Sequence, residues 1–237
     1  MKMGRKELRY AFPKTVPVMI GYLFLGAAYG ILMQVNGFGL GWTAASSALI
    51  YAGSLQYLEV TLLAAMVHPL YAFFMGLMLN ARHLFYGLSM LGKMKEIRHG
   101  KPYLIFGLTD ETFSVLCGEE TPGDLDRNAV YLWITFLDHL YWFAGSAAGC
   151  LLGSAVEFDS RGLDFALTAL FVVIFTDQWK SRKDHRPALT GVAASALCVM
   201  AFGADLFLVP AMALILAALT LGYRKEAQEK KEEQAYE

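Results

Sequence analysis

Most of the charge in this 237-residue chain is confined to four patches, Lys2 to Lys14, Lys93 to Lys101, Lys180 to Arg186 and Arg224 to Glu237, with long apolar runs between them. Crossing a bilayer takes about 20 mostly apolar residues in a helix. Seven segments meet that length: roughly 16–35, 42–67, 69–92, 129–153, 162–179, 187–204 and 205–223. An eighth, 102–118, is marginal. Hydrophobic residues make up 56% of the chain, charged residues 17%, and mean hydropathy is +0.42, a balance that soluble domains rarely reach. The expected fold class is all-α: a polytopic integral membrane protein with about seven to eight transmembrane or re-entrant helical segments. Residues 1–15 are expected to form a cytoplasmic N-terminal segment, 16–223 a single transmembrane domain, and 224–237 a charged tail that is either a solvated helix or a disordered end.

The net charge of −1 and the placement of basic residues beside apolar segments leave no groove for nucleic acid. Cys117, Cys150 and Cys198 sit in apolar segments without metal-ligand spacing and are expected to pack as small residues. The basic N-terminus lacks a well-placed small-residue cleavage site, so 16–35 is expected to be a retained first helix. Lys/Arg bias places the first three basic patches on the cytoplasmic side. Three apolar segments separate each from the next, and three full crossings cannot return to the same side. Either a segment in each group is broken or re-entrant, or the bias fails at one loop; breaks in the sequence favour the former.

Segment 42–67 is interrupted at Ala52-Gly53-Ser54, near Gln56, and 102–118 at Thr109-Asp110-Glu111-Thr112. Non-helical backbone at membrane depth survives only where protein or a water-filled cavity satisfies it, and transporters place substrate sites at such breaks. A weak internal repeat relates halves of about 16–118 and 129–223. Gly26 and Gly30 match Gly149 and Gly153, Gly41 to Ala48 matches Gly162 to Ala169, and Gln56 matches Gln178.

Ionisable residues within apolar segments are functional-site candidates by default. Arg82 could bind a carboxylate through its planar fork, braced by Asn80, or could pair with Asp110 or Glu111 to hold helices together. Asp110 and Glu111 could take an ammonium or a coupling proton, with His83 as relay, or could lie solvated in a surface loop. Gly53, Ser54 and Gln56 would supply backbone groups and an amide at a break, with Gln178 as counterpart or as an interfacial helix end. Asp138 and His139 suit a polar pairing between helices better than a second proton site. His68-Pro69 marks a turn. Tyr131, Trp133, Tyr141 and Trp142 suit belt or packing positions.

The ordered series Ala52-Gly53-Ser54-Leu55-Gln56, Asn80-Ala81-Arg82-His83-Leu84-Phe85-Tyr86-Gly87, Leu108-Thr109-Asp110-Glu111-Thr112-Phe113, Trp142-Phe143-Ala144-Gly145 and Gly162 to Phe171 resembles the signatures of the AzlC family. The resemblance covers roughly residues 10–223; Thr168 departs from it, standing where proline is common. It implies a bacterial inner-membrane permease, multi-pass with a cytoplasmic N-terminus. Such a permease exports leucine, isoleucine, valine or analogues, driven by an ion gradient, together with a small hydrophobic subunit of the AzlD family. No cofactor is implied. Other readings are an exporter of another small solute such as methionine, a non-transporting helper subunit, or an intramembrane enzyme built on His83, Asp110, Glu111 and His139. Against the enzyme, the chain has no His-Glu-x-x-His pair, Gly-x-Ser-x-Gly elbow or phosphate-binding glycine loop.

Overall fold

The computed structural model describes residues 4–95, 97–155, 172, 175–176, 179–180, 184–203, 207, 210–211 and 213–222. Among the described residues the only regular secondary structure is helix. The chain forms two compact units, Met1–Ala169 and Leu170–Glu237. The first contains α1 (Arg5–Val35), α2 (Leu40–Leu49), α3 (Gly53–Ala64), α4 (Pro69–Leu79), α5 (Arg82–Lys95), α6 (Lys101–Phe106), α7 (Asp110–Cys117) and α8 (Arg127–Ala155). The second contains α9 (Arg186–Phe202) and α10 (Ala213–Gly222), and a ring stack of Trp179 on His185 at 4.0 Å. Gly162 to Phe171, Gln178 and the tail from Arg224 lie outside the described residues.

Two long helices form the spine of the first unit. The 31 residues of α1, at about 1.5 Å each, exceed the ~30 Å hydrocarbon core, and α1 alone among the described helices is long and apolar enough to cross a membrane. Gly145 packs on Tyr22 and Leu23, Gly149 on Ala27, and Gly153 on Ile31 and Gln34. Because the contacts advance together along both chains, α1 and α8 run parallel. A Cβ on Gly30 would overlap the Ser146 carbonyl oxygen, and one on Gly149 would overlap that of Ala27, so the backbones touch directly. Small residues permit this approach, which drives association where lipid offers no hydrophobic gain. The Gly-xxx-Gly motifs of the two proposed halves therefore meet each other.

The spine serves as a ruler for the shorter helices. Ser46 donates to Glu59 at 2.6 Å and Gln56 donates to Ser46 at 3.1 Å and Ser47 at 3.3 Å. In a straight helix residues 13 apart would be separated by roughly 20 Å, so α2 and α3 fold back as a hairpin. Its tip is Ile50-Tyr51-Ala52, with Tyr51 at φ 45°. A second hairpin enters from the opposite end. The backbone N–H groups of Arg98 and His99, just ahead of α6, donate to Asn128 at the start of α8, and Tyr103 reaches His139 further along it. Helix α7 then returns, from Thr109 bonded to Tyr22 to Glu119 bonded to Tyr10 and Lys14. The two tips meet halfway along the spine, where Tyr51 packs against Phe106 and stacks on His139.

These hairpins account for the distribution of basic residues. Lys14 pairs with the Glu119 carboxylate, while Lys93 donates to the Leu116, Cys117 and Glu119 carbonyls. Residues from the first and second basic patches thus lie at one end of the unit. Segment 42–67 turns back on itself as a hairpin, so the three apolar segments between the first two patches need not be three full crossings. Segment 69–92 differs from its expected continuous run: it divides into α4 and α5 at Asn80-Ala81. His68 caps α4 by accepting from the Leu70 amide, with Pro69 in the first turn, as the expected turn requires.

Polarity is distributed as lipid demands. Phe24, Trp42, Leu49, Phe73 and Leu84 are exposed, while Thr15, Ser47, Gln56, Thr112, Asp138 and Ser146 are buried. Such extended exposed apolar surface fits a hydrocarbon solvent. Cys150 and Cys198 are buried as expected of packing residues, but Cys117 is exposed; none forms a disulfide.

Candidate functional site

Three helix breaks converge on one charged cluster. Arg82, the first residue of α5, places one guanidinium nitrogen 2.6 Å from Asp110 Oδ2 and donates from another to Ser54 Oγ at 2.8 Å. Ser54 lies in the first turn of α3 and Asp110 opens α7. Unpaired backbone N–H groups and aligned peptide dipoles make each helix start electropositive. No side chain caps the start of α3. An arginine at a helix N-terminus is itself electrostatically disfavoured, so the cluster collects positive potential that Asp110 offsets. The Arg82 side chain is 28% exposed and that of Asp110 18%, so the ion pair remains within reach of a ligand.

Local sequence explains each element of this cluster. Thr109 caps α7, accepting the Thr112 amide on its hydroxyl, while Asp110 and Glu111 complement the dipole in the first turn. Asp110 is therefore held in an ordered helix start and is not part of a solvated surface loop. Asn80 ends α4 with its side-chain oxygen buried and unpartnered among the described residues. His83 Nε2 is 3.9 Å from Asp110, too far for a hydrogen bond, and its ring meets Tyr86 edge-on. Glu111 accepts from Tyr22 at 2.7 Å.

Gln56 belongs to a separate buried network. Besides its bonds to Ser46 and Ser47 it accepts from Trp142 Nε1 at 2.8 Å, which leaves the fully buried amide committed to protein partners. Gly53 lies under the Trp142 ring, where a Cβ would sit 3.1 Å from Cη2. Asp138 and His139 do not bond each other. Adjacent residues project to different sides of a helix, so Asp138 accepts from Thr112 at 2.9 Å while His139 bridges Tyr103 and the Ser47 carbonyl, both at 3.1 Å. Among the described residues no group of three or more His, Cys, Asp or Glu is arranged to hold a metal.

Arg82, Ser54, Asp110, His83 and Asn80 thus lie at or beside the cluster, Glu111 beside it on a different partner, and Gln56 and Gly53 on the Trp142 side. Tyr22 donates to Glu111 and Thr112 to Asp138, with the Thr109 hydroxyl bonded to both donors, and none of the three is among the site residues expected from sequence. The two threonines lie inside the Leu108–Phe113 motif, whereas a tyrosine in an apolar helix gives no sequence signal.

Parallel spine helices, opposed hairpins and a charged centre wrapped in apolar surface define the class: an all-helical membrane protein. The profile described as "AzlC protein" matches residues 17–156. The chain belongs to the AzlC family. It is 46% identical over 213 residues to the "Branched-chain amino acid transport protein AzlC" of Bacillus subtilis (strain 168), covering 90% of this chain and 84% of that protein. It is 38% identical over 216 residues to an uncharacterized membrane protein of Haemophilus influenzae, covering 90% and 88%. Against the "Inner membrane protein YgaZ" of Escherichia coli identity is 27% over 218 residues, covering 88% and 84%. No solved structure matches the chain.

Proposed function

We propose that this protein exports branched-chain amino acids across the bacterial inner membrane, driven by an ion gradient and together with a small hydrophobic AzlD-type subunit. Residues 16–223 act as one permease domain with the N-terminus in the cytoplasm. The observation that carries the reading is the partly accessible Arg82–Asp110 ion pair at three helix starts. A zwitterionic amino acid has the charges needed to enter such a pair. Its carboxylate takes the place of Asp110 on the Arg82 fork, with Ser54 and the open start of α3 as further donors. Its ammonium takes the released Asp110. In the empty protein Asp110 thus stands in for the substrate carboxylate, which spares the guanidinium an unpaired state at low dielectric.

Substrate class is supported by the printed name of the Bacillus subtilis relative. Glu111 and His83, next to the pair, are the proposed coupling residues, and Gln56 and Gly53 support the site through the Trp142 network. Gln178 is proposed as the counterpart of Gln56 in the second half.

Efflux of radiolabelled leucine, isoleucine, valine and methionine from vesicles holding this chain with its small subunit tests the proposal. Gradient-dependent efflux of the branched-chain substrates is expected. Efflux of methionine alone, or of none of the four, contradicts the substrate assignment.

A further inference from the structure

Glu111 Oε2, Tyr22 Oη, Thr109 Oγ1, Thr112 Oγ1 and Asp138 Oδ2 form an unbroken series of oxygens at successive separations of 2.7, 2.6, 3.1 and 2.9 Å. The series joins two acidic residues on different helices, α7 and α8, through three hydroxyls. A hydroxyl brings one proton and two lone pairs, and an ionised carboxylate brings only acceptors. Five oxygens make four links, and the three hydroxyls fill three. With both carboxyls ionised, one link would hold two facing oxygens and no proton. A single added proton, on either carboxyl, fills all four.

A second observation points the same way. Asp138 is fully buried, and its Oδ1 has no hydrogen-bond partner among the described residues. An ionised carboxylate held so is costly, whereas a protonated one carries no net charge to desolvate. The groups that interact with Asp138 are Glu111, Tyr51 from the first hairpin tip, Tyr103 from α6, and Tyr141 from its own helix. Those that interact with Glu111 include Tyr22, Asp110, Arg82 and Tyr86.

We propose that Glu111 and Asp138 share one proton across the Tyr22–Thr109–Thr112 hydroxyl chain, and that Asp138 is the inner station of the coupling path. The inference rests on the transport reading above. In the transfer Asp138 gives its proton to Thr112, Thr112 gives its own to Thr109, Thr109 to Tyr22, and Tyr22 to Glu111. Four O–H bonds break as four form, the hydroxyls end unchanged, and one negative charge passes from Glu111 to Asp138. The proton then lies on the neighbour of Asp110, where it weakens the negative field opposing a substrate carboxylate on Arg82.

Infrared spectroscopy of the full chain in lipid vesicles, in H2O and D2O, reads the shared proton without any amino acid present. The expected result is a deuterium-sensitive protonated-carboxyl band at neutral pH that shifts in both Asp138→Asn and Glu111→Gln. Thr112→Val should shift the same band and Thr112→Ser restore it, which keeps the test decisive if a carboxyl variant fails to fold. Absence of the band, or a band that answers to only one of the two carboxyls, overturns the proposal. Amino-acid counterflow in the same vesicles separates the two readings. Counterflow without the band removes the proton chain and leaves the substrate site standing; the band without counterflow does the reverse.

Discussion

The α1–α8 seam and the hairpin junction lie in the same unit, yet they are built from opposite materials. The seam is glycine against backbone, with contacts so close that Gly30 and Gly149 have no room for a methyl group. At the junction lie ends of helices, an ion pair, and buried oxygens of Asn80, Tyr51, Thr135 and Asp138 that lack partners among the described residues. Dense packing with satisfied polar groups has one arrangement. A partly exposed ion pair at helix starts is instead a place where a ligand of matching charge can compete for the same groups. The difference suits the seam to the role of framework and the junction to the binding events proposed for it.

The sharpest way to break this comparison is at the seam. Gly30→Leu should remove folded, membrane-inserted protein, measured as abundance and a monodisperse elution peak. Gly21→Ala, where nothing lies within 4 Å of the added carbon, should leave both unchanged. Substitutions at the junction should do the reverse. Asp110→Asn should leave abundance intact and weaken apparent substrate affinity by about 10-fold or more, because a hydrogen bond to a charged group contributes ~1.5–3 kcal/mol. The smallest effect belongs to Ser54→Ala, which removes one donor–acceptor contact to Arg82. Its cost of about 1 kcal/mol corresponds to roughly fivefold in affinity, read from concentration dependence of transport. If Ser54→Ala lowers abundance as Gly30→Leu does, the junction is framework too.

Much of this division could be read from the sequence because bilayers punish misplaced polarity. Breaks at Gly53 and Thr109 are marked by glycine, hydroxyl and acidic residues inside apolar runs, and both lie at helix junctions. The break at Asn80-Ala81 was not anticipated, since a polar residue followed by alanine and arginine is also compatible with a continuous helix. Nor could hydropathy distinguish a hairpin from a span in 42–67: length and apolarity are the same whether the chain crosses or returns. Pairing of Arg82 with Asp110 was one of two open choices, because a carboxylate ligand and an ion-pair partner need the same guanidinium. Sequence spacing carries no information on which residues 30 or 90 positions apart share a depth, so the Tyr22, Thr112 and Asp138 connections needed three dimensions.

The central claim is that Arg82 holds the substrate carboxylate in place of Asp110. Equilibrium binding of leucine and of its amide, which keeps the ammonium and side chain but lacks the carboxylate, tests it most directly in the wild-type protein and in Arg82→Ala. Wild-type protein should prefer leucine by about 10-fold or more, as expected when a charge-assisted hydrogen bond is lost, and Arg82→Ala should bind the two alike while remaining folded. An Arg82→Ala protein that keeps the full preference for leucine would contradict the account.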